Sequence, residues 1–180
     1  MRQGLLVLNM TDTGTRQAIE QLSAAISADP AKARARNVPA TARLTGRLKC
    51  EVTGPQGQQF ISDMPKAMGG DGSAPNPGWF LRGALASCTA SVIAMRAAKL
   101  GIALQSLEVT AETDSDLRGI LGMDERVSAG HHSVRMKVKI ASPSAAPQAL
   151  RELVEWAEAH SPVGCTLKDA PKSSLEIEVL

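Results

Sequence analysis

Aromatic residues are almost missing from this chain. Its 180 residues include two Trp, two Phe and no Tyr, 2% in all. That excludes a base-stacking platform for single-stranded nucleic acid, which needs several aromatics on one surface. Neither sign of charge dominates: 20 Lys and Arg against 18 Asp and Glu leave a net charge of +2. With the basic residues scattered, neither nucleic acid nor an anionic membrane is an expected partner. The one basic cluster, Lys32 to Arg36, reads as a solvated tether. Cysteine is sparse: Cys50, Cys88 and Cys165, with no CxxC pair. Three is an odd number, which argues against a secreted disulfide scaffold. No run approaches the roughly 20 apolar residues of a membrane span. The apolar run Leu5, Leu6, Val7, Leu8 is shorter than the roughly 7–15 residues of a signal-peptide core. A reducing, cytoplasmic compartment is expected.

What is present is ordinary globular composition, 43% apolar and 21% charged, with no sign of disorder. The length suits one domain with an extra arm, and such a domain buries about 70% of the surface its unfolded chain exposes. Ile19, Leu22 and Ile26 fall at helical spacing within Thr15 to Ala28. Pro30 stops that helix, and residues 1–42 read as an arm on a main domain over 43–180.

Residues 43–52 alternate, with Leu44, Gly46, Leu48, Cys50 and Val52 on one face. They predict a half-buried strand whose polar face carries Arg43 and Arg47. Gly54-Pro55-Gln56-Gly57 is a turn signal, and Gln58 to Met64 is the expected hairpin partner. Asn76 before Pro77 is a helix start, and Gly101 a stop. The helix between them has Leu81, Leu85, Cys88, Val92 and Met95 as its apolar stripe. Strands are expected around Leu107–Ala111, Val134–Ile140 and Leu175–Val179, with acidic, basic and acidic outer faces that favour antiparallel pairing. Asp114 to His132 reads as a long loop with room for a helical turn. Pro147 to His160 reads as a second amphipathic helix ended by Ser161-Pro162. Strands with one wet face make this an α+β fold with antiparallel sheets, not a doubly wound parallel sheet.

By position alone Cys88 is a small core residue, since thiol chemistry needs the thiolate and apolar burial disfavours it. His131 and His132 at a strand start point to opposite faces and read as surface residues. With only His160 besides, no zinc frame or other cofactor site is visible. Asp114-Ser115-Asp116 and Asp124-Glu125 lack the spacing of a calcium loop. Cys50 reads as core. Trp79 and Phe80 suit either a pocket wall or subunit packing.

The stretch from Gly69-Gly70 through Ala74-Pro75-Asn76-Pro77-Gly78-Trp79 to Ala86-Ser87-Cys88-Thr89 resembles the signature of the OsmC/Ohr superfamily. Ala157 to Val163 is similar to the second motif of that family, and the order of elements matches from about residue 41 to 180. The resemblance implies an OsmC-like fold, with antiparallel sheets around a central Cys-bearing helix, in an intertwined homodimer. It also implies a thiol peroxidase reducing organic hydroperoxides, with Cys88 as the attacking residue. A second Cys then forms a disulfide, which a dithiol such as a lipoylated protein reduces.

Two positions depart from the pattern. Gly78 stands where catalytic members carry Glu, and Ser161 where many carry the resolving Cys. Cys165, four residues on, is the candidate substitute for that Cys, and a buried structural thiol is the competing reading. For the cation that activates the thiolate, Arg47 and Arg43 are the candidates, with Arg82 third; both of the first two alternate onto the polar face, where solvated strand arginines are the slightly better reading. The sequence therefore leaves open the peroxidase, a non-catalytic dimer binding a small apolar or electrophilic ligand and, third, a purely structural role with an inert, closed Cys88.

Overall fold

In the computed structural model, which describes residues 13–180, the alternating stretch after Ala42 is two strands, not one. β1 (Thr41–Leu44) and β2 (Cys50–Thr53) pair antiparallel, with Leu44 opposite Cys50 and Thr41 opposite Thr53. The Thr45 N–H closes the turn on the Lys49 carbonyl at 2.8 Å. The hairpin satisfies this segment's backbone groups locally. It also takes Leu44 off the expected inner face, leaving it 67% exposed, and puts Arg47 in the turn rather than on a strand. The Gly54–Gly57 turn forms as expected, with Gly57 in the left-handed region at φ 83°. β3 (Gln59–Ser62) follows it and completes a sheet of order β1-β2-β3.

Two compact units divide the described chain: residues 13–16, 85–110 and 136–180, and residues 17–84 and 111–135. The β1-β2-β3 sheet belongs to the second. Four continuous elements contribute to both. The first two are helix α1 (Thr13–Ala28), which buries no residue, and helix α2 (Pro77–Leu100). Asn76 caps α2 by accepting the Trp79 N–H at 2.8 Å. At the other end Gly101 has φ 71°, and the N–H groups of Gly101 and Ile102 donate to the carbonyls of Ala98 and Ala97. That is a Schellman stop. The other two are β4 (Ser106–Asp114) and β5 (Ser133–Ala141), which form a two-stranded antiparallel sheet. Their outer faces pair as the charge pattern predicts, Lys139 with Glu108 and Arg135 with Asp114. The loop between them holds the single turn α3 (Leu117–Ile120).

The buried face of α2 is Leu85, Thr89, Ile93 and Ala97, each four residues from the last. The expected stripe shares only Leu85 with it: Met95 is exposed and Cys88 is half-buried beside Thr89. In the first unit Ile93 and Ala97 pack with Leu153 and Ala157 of α4 (Pro147–Ala159) to form the core. Burying a side chain such as Ile93 or Leu153 contributes about 2–3 kcal/mol. α2 is also long and apolar enough to cross a membrane, against the expectation from run length, although this stripe is buried within the chain. α5 (Pro162–Lys168) follows α4 after one intervening turn.

The C-terminal segment differs from expectation. Leu175, Ile177 and Val179 alternate, yet no ladder among the described residues includes them, and they are 73–89% exposed. Alternation makes a segment suited to a sheet, but a strand also needs a neighbouring edge to bond. The apolar run at Leu5–Leu8 lies outside the described residues.

Acid should loosen the loop between β4 and β5. The Asp114 carboxyl is held down to about 2, first by its hydrogen bond from Arg135 and then by that from Ser133. The unfolded value is about 3.9, so this pairing stabilises the fold above that pH and is lost as pH falls through about 2. A carboxyl chemical-shift titration should place the Asp114 midpoint near pH 2, and Arg135→Gln should move it upward.

Candidate active site

A threonine and a serine are buried in the first unit, and buried hydroxyls need partners. Thr89 and Ser161 are each 1% exposed. Ser161 is placed by the break between two helices. α4 ends at His160, Pro162 opens α5, and Ser161 caps it by accepting the Gly164 N–H at 3.3 Å. A Cβ at Gly164 would lie 3.3 Å from the Ser161 side chain, so the glycine allows this close cap. From α2, the Thr89 hydroxyl donates to Ser161 Oγ at 3.3 Å. Ser161 Oγ in turn donates to Cys88 Sγ at 3.3 Å.

The direction of that last bond follows from counting. A serine hydroxyl has one proton and two acceptor lone pairs. Gly164 and Thr89 supply two donors to Ser161 Oγ. The remaining proton goes to the sulfur. A donor fixed on the sulfur orients it, and the nucleophilic form of cysteine is the thiolate. Cys88 is half-buried, so its sulfur combines partial access with a dry polar partner. In the sequence Ser161 stands out as a helix stop and as a missing cysteine, and Thr89 does not stand out. The signal available was a lone threonine at core spacing in an apolar helix.

All three cysteines are free thiols. Cys165 lies in α5, and its Sγ donates to the Ala159 carbonyl at 3.4 Å rather than to the Ser161 hydroxyl. Cys88 and Cys165 belong to the first unit; Arg43 and Arg47 belong to the second. There Arg43 stands opposite Glu51 in the β1–β2 ladder and Arg47 sits in the hairpin turn. Cys50 is half-buried on β2. Arg82 donates to Thr113 Oγ1 at 3.2 Å.

Also in the second unit, the glycine-rich loop is built on Asp63, which is 1% exposed. Its Oδ2 accepts the Ser73 N–H at 2.8 Å and the Ser73 hydroxyl at 2.9 Å. The Ser73 N–H is the main cause holding this carboxyl below its ordinary value, against the opposing effect of burial. Beside the loop is a cleft of about 230 Å³, walled by Met64, Met68, Leu117 and Ile120 and reached by Arg82 and His131. His131 is therefore not a surface residue: its Nδ1 is buried and has no hydrogen-bond partner among the described residues. Gly78 keeps this floor open. A Cβ there would stand 3.5–3.8 Å from Asn76 Oδ1, Arg82 Nη1 and His131 Cε1. Trp79 is half-exposed and meets Phe80 edge-on, while Phe80 packs on Phe60 with ring centroids 4.3 Å apart. Of the acidic residues near α3, Asp116 is paired with Arg118 and Asp124 with Arg126.

Residues 70–176 match the family model for OsmC-like protein. The chain belongs to the OsmC-like family. Solved structures agree on the fold. An OsmC-like protein from Mycoplasma pneumoniae is 18% identical, with a TM-score of 0.63 over 76% of this chain and 91% of its own. An organic hydroperoxide resistance protein from Legionella pneumophila is 19% identical, with a TM-score of 0.57 over 76% of this chain and 92% of its own. A Vibrio cholerae protein, described as a putative organic hydroperoxide resistance protein with captopril in one of its active sites, is 23% identical. Its TM-score is 0.51 over 76% of this chain and 88% of its own. A search of curated proteins matched none. The OsmC-like match spans both the glycine-rich loop and the Cys88–Ser161 contact.

Proposed function

We propose that this OsmC-like protein reduces organic hydroperoxides through Cys88 and works as a cytoplasmic homodimer. The observation that carries the reading is the buried Ser161 hydroxyl directed at a half-buried Cys88 sulfur. In the reaction the Cys88 thiolate attacks the outer peroxide oxygen and the O–O bond breaks. The alkoxide takes a proton and leaves as an alcohol, and Cys88 becomes a sulfenic acid. One thiol then condenses with the sulfenic acid, releasing water and forming a disulfide, and a second thiol reduces that disulfide. Cys165 is the candidate for the first thiol within the chain; a dithiol such as a lipoylated protein is the candidate reductant. Arg43 and Arg47 are the candidate cations. Replacing each with Gln and timing Cys88 alkylation tests them separately.

The cleft at Gly78 supports the second reading, a dimer that binds a small apolar or electrophilic ligand without turnover. Its apolar walls lack the Glu that the family resemblance calls for at that position.

Intact mass separates these readings. Reduced wild type, given one equivalent of cumene hydroperoxide, should either gain about 16 Da as a sulfenate or lose about 2 Da as a disulfide. Cys88→Ser should do neither. A wild type that shows no fast change absent from Cys88→Ser overturns the peroxidase and leaves the ligand-binding dimer.

A further inference from the structure

We propose that Ser161 is a positioning residue for Cys88, its hydroxyl proton committed to the sulfur by two donors that occupy its lone pairs. The assignment rests on the peroxidase reading for its purpose, but not for its test. Three features of the site bear on it.

The first is saturation. Ser161 Oγ receives the Gly164 N–H and the Thr89 hydroxyl, each at 3.3 Å. A serine with free lone pairs can turn its proton elsewhere; with both lone pairs of Ser161 occupied, its proton is left to the sulfur. The second is dryness. Ser161 and Thr89 are each 1% exposed, so water does not compete for the proton, and the bond to a charged sulfur is stronger than it would be in solvent. The third is mechanical. Ser161 is the junction of α4 and α5, and its carbonyl accepts the Cys165 N–H at 2.8 Å, so the hydroxyl rides on a fixed backbone.

The consequence goes beyond nucleophile activation. After attack on a peroxide the sulfur carries an oxygen, and the Ser161 hydroxyl remains as a donor beside it. A chain with cysteine at this position can form a disulfide there. A chain with serine cannot, and holds the oxidised sulfur by a hydrogen bond. A thiol from elsewhere then has to reduce it.

The test reads the thiol without any peroxide. In a Cys50→Ser, Cys165→Ser chain, Cys88 is alkylated with iodoacetamide across a range of pH, with position 161 as Ser, Gly or Thr. Ser161→Gly is the informative variant, because Gly caps a helix almost as well as Ser and so removes the hydroxyl while sparing α5. The alkylation rate at neutral pH should fall about tenfold in Ser161→Gly, the loss of a charge-assisted hydrogen bond. At high pH the rates should converge, because the thiol is then ionised with or without the donor. Ser161→Thr should restore most of the neutral rate. Circular dichroism of each variant checks that the helices persist. Equal neutral rates for Ser and Gly in folded proteins overturn the assignment, even if peroxide is still consumed. A tenfold loss without peroxide turnover would uphold Ser161 while defeating the peroxidase reading.

Discussion

Ser161→Cys, introduced into a chain that already carries Cys50→Ser and Cys165→Ser, is expected to lose about 2 Da with one equivalent of cumene hydroperoxide. The same chain with Ser161 retained is expected to gain about 16 Da instead. Ser161 Oγ lies 3.3 Å from Cys88 Sγ. A sulfur at the Ser161 Oγ position starts within reach, and a rotation at χ1 has to close the gap to a disulfide bond of about 2.05 Å. The backbone on both sides is helical or capped, so neither residue has to be brought in from a distant loop. Burial of Ser161 also favours the internal thiol over an external one, by effective concentration. The change is from no internal disulfide to nearly complete internal disulfide, and mass spectrometry reads it directly. A gain of about 16 Da in both chains would show that positions 88 and 161 do not approach closely enough in solution. Because Cys165 is absent from both chains, the result is independent of what that residue does in the wild type.

Sequence alone carried the fold far and the site only partly. The Asn76-Pro77 start and the Gly101 stop of α2 are local signals, fixed by a side-chain cap and a positive φ, and both hold. The α4 helix and the charge pairing of β4 with β5 are equally local or periodic. What failed depends on partners that a single segment does not contain. Residues 43–52 keep strand alternation through a turn, because Gly46 fits either reading and the pattern does not mark where the chain reverses. Leu175, Ile177 and Val179 have a strand's pattern and, among the described residues, no edge to bond. The α2 stripe differs from its expected place because Thr89, a polar residue, lies in the buried face, where its hydroxyl is bonded to Ser161, 72 residues away. Ser161 is visible in the sequence as a departure from a motif. That its proton points at sulfur follows only from seeing Gly164, Thr89 and Cys88 around one oxygen.

Gly70→Ala is expected to unfold the glycine-rich loop. A Cβ at Gly70 would stand 1.9 Å from the Met64 carbonyl oxygen and 2.9 Å from Asp63 Oδ1. No rotamer relieves this, because the obstacle is backbone. The same Met64 oxygen accepts the Gly72 N–H at 3.1 Å, so pushing it aside breaks the turn. That movement also draws Ser73 away from Asp63 and leaves a buried carboxylate without its two donors. Overpacking and the orphaned carboxylate together should cost about 3 kcal/mol or more. For a chain of this length that is a fall in Tm of roughly 6–12 °C. Gly78→Ala is the control in the same segment. Its Cβ meets nothing nearer than 3.5 Å, an ordinary contact, and alanine suits a helix better than glycine. Its Tm should stay within about 2 °C of wild type. If Gly70→Ala melts with Gly78→Ala, the loop has room in solution that the Met64 carbonyl denies it in this structure. If only Gly70→Ala falls, the second glycine of the Gly69-Gly70 pair is explained by the close approach of one carbonyl, without appeal to any role in chemistry.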